Sequence, residues 1–150
     1  MKKVVKFFAL FALLLNVGGF TASKVQAQEE ITVWAWDPAF NIRALEVARD
    51  IYLEENPDFN LSIVESAQDD IVSRLNTSLS SGVTTGLPNI VLIEDYRAQS
   101  FLQSYPDAFF PMTDYFNVDD FAEYKVTATS LDGVSYGIPF DTGVTGLYVR

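Results

Sequence analysis

The fold is decided by the stretch Ile31-Thr32-Val33-Trp34-Ala35-Trp36, which runs directly into Asp37-Pro38. A run of β-branched and aromatic residues favours a strand, and a proline ends one. Apolar residues then recur every three or four positions until Asn56-Pro57, which predicts a first helix over 39–56. We expect the buried face of this helix to comprise Ala44, Leu45, Ala48, Ile51 and Tyr52.

A second strand and a second helix follow. Apolar and polar residues alternate over 59–64, which predicts a strand with one face buried more completely than the other. Ser66 resembles an N-cap with an acidic partner at Asp69, and the helix that they begin should end at Gly82.

A third strand and a third helix continue the alternation. The run Ile90-Val91-Leu92-Ile93 has no polar alternation, which predicts a strand covered on both faces. Apolar spacing predicts a helix over 98–105, with Glu94 or Asp95 as its N-cap. Strands alternating with helices are typical of a parallel sheet in an α/β fold.

The chain after the third helix is less regular. The patterns there predict a short helix over 119–124, strands over 125–129 and 134–140 joined by an Asp132-Gly133 turn, and a last strand over 146–150.

Residues 1–27 are predicted to be a cleavable export signal. Lys2, Lys3 and Lys6 precede the apolar stretch Phe7 to Leu15, and Val25-Gln26-Ala27 places small side chains at the cleavage site. The alternative, a membrane anchor, is disfavoured because the apolar stretch is far shorter than the ~20 residues that span a bilayer.

The composition excludes several kinds of chemistry. The chain has no His and no Cys, so it cannot build a Ser-His-Asp triad, a cysteine nucleophile, a disulfide or a Cys/His zinc site. Removing the four lysines of the export signal leaves six basic and 20 acidic residues, a net charge of −14. Because phosphate repels such a chain, we expect no nucleic-acid partner and no electrostatic docking to anionic lipid.

Aromatic and acidic residues gather where the first and third predicted strands end. They are Trp34, Trp36, Asp37, Phe40 and Asn41 after the first strand, and Glu94, Asp95 and Tyr96 after the third. An aromatic ring packs against the C–H face of a pyranose, and a carboxylate accepts bonds from its hydroxyls. The pattern therefore indicates a sugar site, with Trp34 more suited to the core.

The same carboxylates leave open a carbohydrate-active enzyme. Glu94 and Asp95 are adjacent on an extended segment and so point to opposite sides, whereas hydrolysis needs two carboxyls facing one bond. Asp95 could still converge with Asp37 or Asp141 across strands.

Three stretches together resemble the sugar-binding branch of the extracellular solute-binding proteins of ABC transporters. They are Ile31 to Asp37 after an export signal, Pro88 to Tyr96, and Asp132-Gly133-Val134-Ser135-Tyr136-Gly137-Ile138-Pro139-Phe140-Asp141-Thr142-Gly143. The third is the most specific, because it resembles the family segment that precedes a strand crossing between two lobes.

The resemblance implies a periplasmic-binding-protein-like α/β fold in two lobes that close on a sugar, after which the protein docks on a membrane permease. Residues 28–140 would form the N-terminal lobe, and residues 141–150 would begin the crossover into a second lobe absent from this chain. By family position, ligand contact falls on Trp36, Asp37, Phe40, Asn41, Asp95, Tyr96, Asp141 and Thr142.

The resemblance also implies a binding protein rather than an enzyme, without catalytic residues, cofactor or metal. We expect an exported monomer, periplasmic or extracellular, with no cysteine for a lipid anchor. Two alternatives remain open, an exported carbohydrate-active enzyme and a truncated lobe that binds nothing.

Overall fold

The computed structural model describes residues 30–143. Its main elements are β1 (Ile31–Ala35), α1 (Arg43–Glu55), β2 (Leu61–Glu65), α2 (Gln68–Ser81), β3 (Ile90–Val91), α3 (Asp95–Ser104), α4 (Glu123–Ala128), β4 (Ser130–Leu131) and β5 (Val134–Ser135). A π-helical turn at Pro38–Ile42 and two 3₁₀ turns at Thr113–Tyr115 and Val118–Asp120 complete the set. The predicted export signal and the predicted strand over 146–150 lie outside the described residues.

The first three strands form a parallel sheet in the order β2-β1-β3. Val33 of β1 is level with Ile63 of β2 on one side and with Ile90 of β3 on the other. Because β2 and β3 flank β1 on opposite sides, right-handed crossovers place α1 and α2 on opposite faces of the sheet. This arrangement is the α/β layering that the sequence predicts.

The main apolar core lies on the α2 face of the sheet. Trp34 is 4% exposed and packs with Ile71 and Leu75 of α2 and with Phe101 of α3. Burying side chains of this size stabilises the fold by about 1.5–3 kcal/mol each. The prediction that Trp34 is a core residue is confirmed.

The apolar face predicted for the first helix is wrong at Ala48, Ile51 and Tyr52, which are exposed, whereas Ala44 and Leu45 are half-buried. Ile51 is 62% exposed and Tyr52 51%, while Leu45 and Leu53 are the more enclosed positions of α1. The helix carries two apolar stripes, and periodicity alone does not determine which of them turns towards the sheet. Residues 30–143 thus leave one apolar stripe of α1 uncovered.

The third strand is shorter and more open than predicted. Only Ile90 and Val91 are in strand geometry, although the Leu92 N–H still donates to the Trp34 carbonyl at 3.0 Å. Ile90 is 52% exposed because β3 is an edge strand within the described part of the sheet. The expected cover on both faces is therefore not provided by residues 30–143.

The ends of α2 agree with the prediction at one terminus only. Gly82 ends the helix with a φ of 70°, a left-handed conformation that glycine adopts without strain. The N-cap position is held by Ala67 rather than by Ser66, and no side chain caps it. Asp69 lies in the first turn, where its negative charge interacts favourably with the positive end of the helix dipole.

The segment before the hairpin is helical, so the strand predicted over 125–129 is wrong and the short helix predicted over 119–124 begins too early. In the structure, α4 runs from Glu123 to Ala128, and the Gln99 amide donates to the carbonyls of Thr127, Ala128 and Ser130 at 3.2, 3.1 and 2.7 Å. These bonds satisfy carbonyls at the helix end, and tertiary contacts thereby outweigh the β-propensity of Val126 and Thr127.

The hairpin itself forms as expected around Asp132 and Gly133, which both have positive φ. Its second strand is confined to Val134–Ser135, much shorter than the predicted 134–140. Within residues 30–143, no helix combines the length and the apolar character needed to span a bilayer.

Candidate functional site

The parallel sheet brings the site residues predicted after the first and third strands to one edge. Because β1 and β3 are paired neighbours, the segments that follow them, 36–41 and 94–96, leave the sheet side by side. We refer to these two segments as the carboxyl edge. Ligands of open α/β sheets are bound at this kind of edge.

Asp37 shapes the first segment of the carboxyl edge. Its backbone is left-handed, with a φ of 59°, and its Oδ1 accepts the N–H groups of Ala39 and Phe40 at 3.2 and 3.3 Å. Non-glycine residues rarely adopt this conformation, and such strain tends to occur at functional sites. One oxygen of the Asp37 carboxylate, which was predicted to contact ligand, thus caps the turn that carries Phe40.

Two aromatic side chains project from the carboxyl edge. Phe40 is 56% exposed and Tyr96 is 70% exposed. Trp36 is half-buried and packs partly on the core, whereas Asn41 is buried. Exposed rings that flank carboxylates provide the apolar face and the hydrogen-bond acceptors that a sugar requires.

A chain of polar contacts fixes the phenol of Tyr96. Its hydroxyl donates to Glu94 Oε1 at 3.0 Å and accepts from Arg97 Nε at 3.1 Å, while Arg97 Nη2 reaches Asp69 Oδ1 at 3.2 Å. The hydrogen bond to the hydroxyl raises the pKa of Arg97. The hydroxyl thus has two partners, and Tyr96 as a whole remains 70% exposed.

Glu94 is the residue in this network that sequence reasoning undervalued. It occupies the N-cap position of α3, as expected for one of the two acids, but makes no side-chain capping bond. Its Oε1 lies 3.3 Å from Arg97 Nε, whereas its buried Oε2 has no hydrogen-bond partner among the described residues.

Asp95 forms an ion pair that the sequence did not predict. Lys125 Nζ lies 3.0 Å from Asp95 Oδ2, and the Tyr96 N–H donates to Asp95 Oδ1 at 2.7 Å. The hydrogen bond from Lys125 is the main cause of the lowered pKa of Asp95, and the same bond raises the pKa of Lys125. Asp141 adds to the raised pKa of Lys125 through its negative charge.

Lys125 therefore contacts one predicted site residue, Asp95, at 3.0 Å, and the charge of a second, Asp141, acts on it electrostatically. Thr142 is exposed next to Asp141, and no described contact joins it to the carboxyl edge. No local sequence pattern joins Lys125 to Asp95, because the two residues are 30 positions apart.

Within residues 30–143, two hollows lie away from the carboxyl edge, one beside Asn56 at the end of α1 and one between Trp34, Arg74 and Gly86. In the latter, the Arg74 guanidinium carbon lies 3.7 Å from the centroid of the Trp34 ring. The described residues contain no cluster of acidic side chains suited to a metal ion.

Comparison with known sequences places the chain among binding proteins. The pattern of the family described as bacterial extracellular solute-binding protein matches residues 48–150. A lactose-binding protein of Rhizobium radiobacter is 49% identical over 93% of this chain and 31% of its own length. An arabinooligosaccharide-binding protein of Halalkalibacterium halodurans is 29% identical over 83% of this chain and 28% of its own length. The chain thus spans less than a third of these curated relatives.

A solved structure shows the same fold. A periplasmic solute-binding protein from Pectobacterium atrosepticum matches 75% of this chain and 27% of its own, with a TM-score of 0.60 and 21% sequence identity. The fold class predicted from the sequence, a parallel-sheet lobe with flanking helices, is confirmed by this likeness.

Proposed function

Because the chain belongs to the bacterial extracellular solute-binding proteins, we propose that it captures a sugar or oligosaccharide outside the cytoplasm and delivers it to an ABC-type permease. The observation that carries the proposal is the pair of exposed rings, Phe40 and Tyr96, beside carboxylates at the carboxyl edge. The names of the two curated relatives, a lactose-binding and an arabinooligosaccharide-binding protein, favour the same ligand class.

The proposed activity is binding without catalysis. A glycosidase needs one carboxyl that stays protonated, and therefore has a raised pKa, near the bond to be cleaved. Asp95 has the opposite character, because its ion pair with Lys125 lowers its pKa. This favours a hydrogen-bond acceptor over a general acid at that position.

We further propose that the active protein has two lobes. Residues 28–140 would form the N-terminal lobe, and residues 141–150 would lead into a second lobe that closes over the carboxyl edge. The uncovered apolar side chains of Ile51 and Ile90, together with the greater length of the relatives, favour a larger folded unit. Closure would supply the enclosure that a sugar needs to be well desolvated.

The proposed location is the periplasm or the cell exterior. Residues 1–27 would direct export and then be cleaved. The proposed partners are a saccharide and the permease subunits, and the protein would act as a monomer. A lone lobe that binds nothing is the competing possibility, since half of a cleft leaves a ligand largely solvated.

A thermal-shift screen on the mature protein isolated from its source tests the ligand class. We expect a rise in Tm with at least one mono- or oligosaccharide, because a ligand that binds only the folded state stabilises it. A rise with amino acids, peptides or metal ions and with no saccharide would overturn the proposal.

The intact mass of the same sample tests the two-lobe organisation. A mass far above that of residues 28–150 is expected. A mass equal to that of residues 28–150 would contradict the proposal of a second lobe.

A further inference from the structure

We propose that Lys125 is a positioning residue of the sugar site, which holds the Asp95 carboxylate ionised and oriented so that it accepts a hydrogen bond from a sugar hydroxyl. This inference rests on the proposed function and extends it to a residue of α4. It assigns a role at the carboxyl edge to a side chain about 30 positions further along the chain.

The geometry of the ion pair carries the first step. Lys125 Nζ lies 3.0 Å from Asp95 Oδ2, and the Lys125 side chain is only 14% exposed. Asp95 Oδ1 is held by the Tyr96 N–H at 2.7 Å. Both oxygens are thus fixed, yet each keeps a further lone pair, and the Asp95 side chain remains 34% exposed. The Asp95 carboxylate is therefore held in one orientation and can still accept further hydrogen bonds.

The second step is that α4 cannot easily carry Lys125 away. Gln99 lies one turn after Asp95 on α3, and its amide donates to the carbonyls of Thr127, Ala128 and Ser130. Asp95 and Gln99 therefore fasten α4 to α3 at two points. A donor on a fixed element positions its acceptor better than a donor on a free loop.

The third step concerns the charges around the pair. Asp141 acts on Lys125 from the segment after the hairpin, and the Tyr124 ring of α4 itself lies 5.8 Å from Lys125 Nζ. The ammonium thus pairs directly with Asp95, and the negative charge of Asp141 adds a weaker electrostatic attraction. Without it, the partial burial of Asp95 would favour the protonated form of its carboxyl.

The test compares the dissociation constant for a bound saccharide in the mature source protein with that of its variants Lys125→Met and Lys125→Arg, between about pH 4 and pH 8. We expect Lys125→Met to bind about tenfold more weakly at neutral pH, since a charge-assisted arrangement is lost. We also expect the acid side of its affinity profile to move to higher pH, because the carboxyl of Asp95 would then be protonated more readily. Lys125→Arg should restore the wild-type profile.

The matched control is Arg49→Met, which removes one positive charge from an exposed pair with Asp50 on α1. This variant should bind the saccharide with the same affinity and the same pH dependence as the wild type. A double-mutant cycle between Lys125→Met and Asp95→Asn should give strongly non-additive losses, because each change disrupts the same contact. If Lys125→Met does not fold, Lys125→Gln provides the same loss of charge with a hydrogen-bond donor retained.

The outcomes separate this inference from the proposed function. Saccharide binding by the wild type with an unshifted profile in Lys125→Met, or in its Gln replacement, would overturn the positioning role and leave the sugar-binding function standing. Failure of the wild type to bind any saccharide would overturn the proposed function and this inference with it.

Discussion

The carboxylate of Asp37 caps the turn that carries Phe40, with Asp37 Oδ1 lying 3.3 Å from the Phe40 nitrogen. Asp37 adopts a left-handed backbone to do so. Asp37 lies two residues beyond the end of β1 and caps the helical turn that carries an exposed aromatic ring.

This relationship predicts an order of stability among substitutions at Asp37. Asp37→Ala should lower the free energy of unfolding by about 1–2 kcal/mol, because it removes the cap and keeps a backbone unfavourable to alanine. Asp37→Asn should cost much less, since asparagine caps helices and tolerates this conformation. Urea denaturation measures both, and equal losses would contradict the capping role.

The exposed rings predict the effect of truncation on binding. Phe40→Ala and Tyr96→Ala should each weaken saccharide binding about tenfold, in line with the contribution of an aromatic contact. Tyr52→Ala is the control, because Tyr52 is about half exposed but lies at the far end of α1. Calorimetric titration provides the constants, and an equal loss in the control would count against a site at the carboxyl edge.

The ion pair between Asp95 and Lys125 predicts a window of pH. The lowered pKa of Asp95 means that its stabilisation is present above the ordinary carboxyl pKa and is lost as pH falls through the lowered value. The raised pKa of Lys125 means that its stabilisation is present below the ordinary amine pKa and is lost as pH rises through the raised value. The pair should therefore contribute fully at neutral pH.

The variant Asp95→Asn makes this measurable by urea denaturation. The difference in free energy of unfolding between wild type and variant should be larger at about pH 7 than at about pH 3. A difference that is larger at about pH 3 than at about pH 7 would contradict the predicted pH dependence of the ion pair's stabilisation.

The core predicts a contrast between two isoleucines. Ile71→Ala should cost about 2–5 kcal/mol, because Ile71 is fully buried in the same core cluster as Trp34 and Phe101. Ile51→Ala in a chain of residues 28–150 should change stability by no more than about 0.5 kcal/mol, since Ile51 is exposed there. Similar losses at the two positions would contradict the assignment of the core.

The elements with strong local signals were predictable from the sequence. The β-branched run Ile31–Ala35 and the glycine at position 82 both appear where expected, because local preference and tertiary packing agree there. The family was also predictable, and the match over residues 48–150 confirms it. What carried that prediction was the order of three stretches along the chain.

The remaining features depend on contacts between distant residues. The helix Glu123–Ala128 is only six residues long, and its local sequence favours a strand. The hydrogen bonds from Gln99 to the end of this helix outweigh that preference. The partner of Asp95 was unpredictable for the same reason, since Lys125 is brought to it only by the packing of α4 on α3. The orientation of α1 likewise depends on how the whole helix meets the sheet.

The site residues remain predictions. The structure brings Trp36, Asp37, Phe40, Asp95 and Tyr96 to one edge.

The most direct test of the central claim is a crystal structure of the mature source protein with a saccharide that raises its Tm. The account predicts a sugar ring in van der Waals contact with Phe40 or Tyr96, and a sugar hydroxyl within hydrogen-bond distance of Asp95. A saccharide bound away from the carboxyl edge, with both rings still facing solvent, would contradict it.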